Sequence, residues 1–90
     1  MALHTLYSGH RLADCLGTLT EQDVLLVLDQ AVQLLLDSTI SWSALPCSVL
    51  ALSEDVCISG VQIHPSVAQL VDYDQWVALT ETQSQQVAWY

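Results

Sequence analysis

The chain has 90 residues, 52% of them hydrophobic and 12% charged, with ten acids against one base, Arg11, for a net charge of −9. That length allows one domain, residues 1–90, and the hydrophobic content excludes intrinsic disorder. Having no lysine excludes direct nucleic-acid contact, which depends on Lys and Arg neutralising phosphates, and the same sign disfavours anionic membrane surfaces.

Met1 to His4 lacks the basic region and apolar stretch of a signal peptide. Leu3 to Tyr7 reads as the first strand, with Ser8 placed to cap the first helix. Leu12, Cys15, Leu16 and Leu19 recur at i, i+3, i+4 and i+7, one face of an amphipathic helix. After Asp23, Val24 to Leu28 is a near-continuous apolar run, as in a strand covered on both faces of a parallel sheet. Asp29, Gln30 and Gln33 interrupt the apolar zone, which stays short of the ~20 residues a spanning helix needs. Ala31 to Leu36 predicts a short helix, and Asp37 to Pro46 a loop with another turn.

Ser48 to Leu52 is a third strand. Ser53 is placed to cap the next helix, with Glu54 and Asp55 in its positive first turn and Gly60 ending it. Val61 to Val67 reads as irregular and Ala68 to Val71 as a fourth strand. Asp72 and Gln75 match a capping box, Val71 with Trp76 its hydrophobic staple, and Tyr73, Trp76, Val77 and Thr80 share one helix face. A polar stretch from Thr80 to Gln86 leads to Val87–Tyr90, apolar enough for an edge strand. This alternation predicts an α/β fold. Its mainly parallel sheet has four to five strands, lies between two helix layers (α/β/α) and is joined by right-handed crossovers.

Chemical signatures are sparse. No GxGxxG, P-loop or CxxC occurs, so no cofactor is expected. His4, His10, His64 and the three cysteines lack the close-set pairs of a zinc site, so no metal is expected either. His4, inside a strand, reads as a hydrogen-bonded core or interface residue. The acids Glu54-Asp55 and Asp72/Asp74 are explained by their places at helix starts. The odd cysteine count implies no disulfide framework and points to a reducing, cytoplasmic setting.

Cys15 has two readings. A reactive thiolate needs a helix start or a nearby cation, and Arg11 lies four residues earlier on the same helical face. Cys15 also falls on the stripe of Leu12, Leu16 and Leu19, where cysteine serves as a small buried hydrophobe. Cys47 and Cys57 read as packing residues. Trp76, Trp89 and Tyr90 read as core, or as anchors of a protein interface.

Four blocks then carry a resemblance over nearly the whole chain: Leu3-His4-Thr5-Leu6; Ala51-Leu52-Ser53-Glu54-Asp55-Val56 through Gly60; Asp72 to Thr80; and Ala88-Trp89. In this order they resemble the TusB/DsrH family of sulfur-relay subunits. The resemblance implies the DsrE/DsrF/DsrH-like fold, with a terminal strand beside the first. It implies a cytoplasmic hetero-oligomer with TusC/DsrF-like and TusD/DsrE-like subunits, fed by a TusA-like donor and emptied by a TusE-like acceptor. The product is 2-thiouridine at the tRNA wobble position, or, for DsrH-type relatives, the role is in sulfur oxidation. In the family the main sulfur-accepting cysteine belongs to the TusD/DsrE subunit, while DsrH-like members carry one in the first helix, where Cys15 falls. Cys15 is thereby a candidate persulfide carrier with Arg11 as thiolate support; the alternative is a non-catalytic interaction subunit. Two departures stand out. Asp29-Gln30 replaces the usual Asp-Gly after the second strand, and Ser59 replaces the usual base before the helix-ending glycine.

Overall fold

The computed structural model describes residues 2–37, 40–64, 67–83 and 85–90. Strand β1 (Ala2–Leu6) leads through a 3-10 turn at Gly9–Arg11 into helix α1 (Leu12–Thr18). β2 (Val24–Val27) is followed by a 3-10 helix at Asp29–Leu36 and a second short 3-10 turn at Trp42–Ala44. β3 (Ser48–Leu52) runs directly into α2 (Ser53–Ser59). β4 (Gln69–Val71), α3 (Tyr73–Thr82) and β5 (Gln85–Trp89) complete the order. Parts of the expected loops, at 38–39, 65–66 and Ser84, lie outside the described residues.

The five strands form one sheet in the order β4-β3-β2-β1-β5, and every pair is parallel. The expected terminal strand is there, with Ala2 opposite Gln85 and Leu6 opposite Trp89. Strand alternation sends Leu6, Leu25, Val27 and Ala51 to one face. There they pack with Cys15 of α1, Val32 of the 3-10 helix and Val56 of α2. Leu3, Leu26, Leu52 and Val71 point to the other face, beneath Trp76 and Leu79 of α3. The result is three layers, α/β/α. Each fully buried leucine here contributes about 1.5–3 kcal/mol of transfer free energy.

Local chemistry explains most boundaries. The capping box of α3 is complete: the Gln75 N–H donates to Asp72 Oδ1 at 2.8 Å and the Asp72 N–H donates to Gln75 Oε1 at 2.9 Å. Val71 and Trp76 sit in one apolar cluster, as a staple requires. Gly60 ends α2 in the left-handed region at φ 75°, its N–H donating to the Val56 and Cys57 carbonyls.

Three local expectations differ. Ser8 makes no cap, and its buried Oγ has no hydrogen-bond partner among the described residues. Ser53 is the first helical residue, not the cap, because β3 enters α2 without a loop; its Oγ donates to Glu54 Oε2 at 3.2 Å. On α3 the residues facing the sheet are Trp76 and Leu79, while Tyr73 and Val77 are about half exposed (51% and 55%).

Candidate functional site

Cys15 lies midway along α1 and is fully enclosed, at 0% exposure. Burial pushes its thiol up to about 11, and the neighbouring Cys47 thiol adds to the effect. Both influences disfavour the thiolate, which is the reactive form. Cys47, half-buried against the same cluster, is also shifted up, by burial and then by the Asp23 carboxylate.

Arg11 is directed elsewhere. It ends the 3-10 turn, with φ −112° and ψ 17°, so the α-helical spacing that would align it with Cys15 begins only after it. Its Nε donates to Asp14 Oδ2 at 3.1 Å, and its guanidinium lies 5.3 Å from the centre of the Trp89 ring. The structure thus brings Arg11 to Asp14 and Trp89. Cys57, expected to pack, is exposed on α2, where Val56 is the buried residue instead.

Sequence reasoning missed a polar chain through the buried His4. Trp89 Nε1–H donates to His4 Nδ1 at 3.0 Å, and His4 Nε2 lies 3.3 Å from Asp23 Oδ2. Asp23 also accepts the Ala2 N–H at Oδ1 and the Thr20 N–H at Oδ2, each at 3.0 Å. His4 is 4% exposed and Asp23 8%. Burial alone would push the Asp23 carboxyl up. The hydrogen bonds from Thr20, Ala2 and His4 outweigh that and hold it below its usual range. His4 is therefore the hydrogen-bonded core residue expected. Its partners were hidden because they stand 19 and 85 residues away in sequence. The available signal was Asp23, an acid immediately before an apolar parallel strand that pairs with β1.

Among the described residues, no group of three or more His, Cys, Asp or Glu side chains is arranged to hold a metal ion, and no helix is long and apolar enough to cross a membrane. The sequence matches the family described as DsrH like protein over residues 6–86. The chain belongs to that family. This DsrH-like chain is also 37% identical over 95 residues to Protein TusB of Shigella sonnei (strain Ss046), across 97% of its own length and 99% of the relative's. The DsrH-like identity agrees with the all-parallel sheet and its terminal strand beside β1. In this DsrH-like chain, the first-helix cysteine is enclosed in the core.

Proposed function

We propose that this chain is a cytoplasmic subunit of a sulfur-relay complex that supports 2-thiouridine formation at the tRNA wobble position. Its direct partners are TusC/DsrF-like and TusD/DsrE-like subunits, with a TusA-like donor upstream and a TusE-like acceptor downstream. The full-length similarity to Protein TusB supports this reading. Within the complex its task is to complete the assembly, and the travelling sulfur sits on a partner's cysteine. The single observation that carries this choice is the enclosure of Cys15, whose thiol is both inaccessible and protonated.

Persulfide transfer has strict requirements. An acceptor thiolate attacks the outer sulfur of a donor persulfide, the S–S bond of the donor breaks, and the donor leaves as a thiolate, a relative of thiol–disulfide exchange. Cys15 meets neither the ionisation nor the access condition in this fold, and Arg11 is engaged by Asp14. The test is to incubate the reconstituted complex with a cysteine desulfurase, cysteine and the TusA-like donor, then map sulfur by peptide mass. Sulfur on a partner with Cys15 bare supports an assembly role. Sulfur on Cys15 makes this chain a carrier and overturns that role. No sulfur on any subunit overturns the relay function itself.

A further inference from the structure

We propose that His4 is a proton-operated latch for the Trp89 side chain on the edge strand β5, closed when the imidazole is neutral and opened when it takes up a proton. The donors set the tautomer. An indole Nε1–H can only donate, so the Trp89 bond to His4 Nδ1 at 3.0 Å requires a lone pair on Nδ1. The ring proton then sits on Nε2 and is directed at the Asp23 carboxylate, 3.3 Å away. Both ring nitrogens are matched in this one neutral tautomer. An imidazolium carries N–H at both positions, so its Nδ1–H would face the indole N–H, donor against donor. His4 is 4% exposed, which leaves little access for water to mediate.

The environment decides which bond yields. Asp23 is anchored by the Ala2 and Thr20 N–H groups and stays ionised, so it holds the imidazolium. The charged or titratable groups around the ring come from three elements. They are Asp23 before β2, Arg11 over the Trp89 ring from the Gly9–Arg11 turn, and Cys47 before β3, whose thiol feels the Asp23 carboxylate. The bond given up is therefore that of Trp89. The backbone of β5 is held independently: its ladder runs along β1 from Gln85 opposite Ala2 to Trp89 opposite Leu6, the Thr5 hydroxyl donates to the Val87 carbonyl at 3.4 Å, and the Tyr7 and Tyr90 rings stack with centres 4.6 Å apart. Losing the indole bond frees the Trp89 side chain, while the Tyr7 N–H, donating to the Trp89 carbonyl at 2.9 Å, keeps the strand itself on β1. Strands β2, β3 and β4 are untouched.

The test uses the whole chain, labelled with nitrogen-15, with pH lowered stepwise while the His4 ring nitrogens are followed directly until they report protonation. The expected result at the high end is His4 in the Nε2–H form, with the Trp89 indole proton protected from exchange. As the His4 ring nitrogens report protonation, indole exchange at Trp89 should rise at least tenfold with the same midpoint. The Trp42 indole, which donates to the Leu34 carbonyl at 3.2 Å, should not change. His4→Gln should remove the pH step at Trp89. Three results would overturn the latch: an Nδ1–H tautomer at high pH, a Trp89 indole that stays protected while His4 titrates, or an unchanged pH step in His4→Gln.

Discussion

The Asp23 carboxylate accepts the backbone N–H of Ala2 at 3.0 Å across 21 residues of chain, fixing the start of β1 beside the start of β2. The same carboxylate closes its own turn on Thr20 and receives His4. Asp23→Ala leaves several buried donors unmatched and should cost about 2–4 kcal/mol in urea denaturation.

The same site makes a prediction in acid. In the unfolded chain an aspartate gains its proton near pH 4, whereas the native Asp23 carboxyl is held lower. Its contribution is therefore complete above about pH 4 and is lost as pH falls through the lowered native value. Asp23→Asn has no such proton to take up. The stability gap between it and the parent protein should shrink in acid, as measured by urea midpoints at successive pH values.

Cys15 shows the opposite sign. An unfolded thiol ionises around 9.0, while the native one holds its proton to about 11. Between those values the unfolded state gains from ionising and the native state does not, so stability is complete below about pH 9 and declines toward pH 11. Cys15→Ala should flatten this decline. Alkylation of the native protein should proceed in the order Cys57, Cys47, Cys15, following their exposure.

The capping box of α3 is a third target. Asp72→Ala should destabilise the protein by about 1 kcal/mol. Combined with Gln75→Ala the loss should be less than additive, because each side chain bonds the other's backbone N–H.

Asp29 is a non-glycine residue at φ 54°, tethered through its N–H to Asp55 Oδ2 at 2.7 Å. Asp29→Gly removes the left-handed penalty, keeps the tethered N–H, and should raise stability by roughly 0.5–1 kcal/mol. Gly60→Ala, at φ 75°, should lower it by about 1 kcal/mol. Thermal melts of the two variants should move in opposite directions.

What was legible in the sequence was what local chemistry encodes. The α3 cap, the Gly60 terminus and the unbroken apolar run of β2 each announce themselves within a few residues. β5 was legible as an apolar end, and its parallel partner followed from the family resemblance. The candidate site was legible in its residue types and not in its geometry. Pairing Arg11 with Cys15 assumed that helical spacing reached back to Arg11, which is instead in a 3-10 turn and drawn to Asp14 and Trp89. Cys57 was misplaced because a seven-residue helix buries only Val56. His4, Asp23 and Trp89 meet through strand register, which no local window contains.

The β1–β5 ladder also orders events in time. β1 is made first, but its neighbour on one side is the last strand in the chain, and His4 meets Trp89 across 85 residues. During synthesis β1 can pair with β2 early, while its other edge stays bare until β5 has been made. A long-range, slow step therefore comes last, and until then an unprotected strand edge is available to other chains. A nascent chain of this kind is most exposed to misassembly in the interval between the making of β2 and the docking of β5.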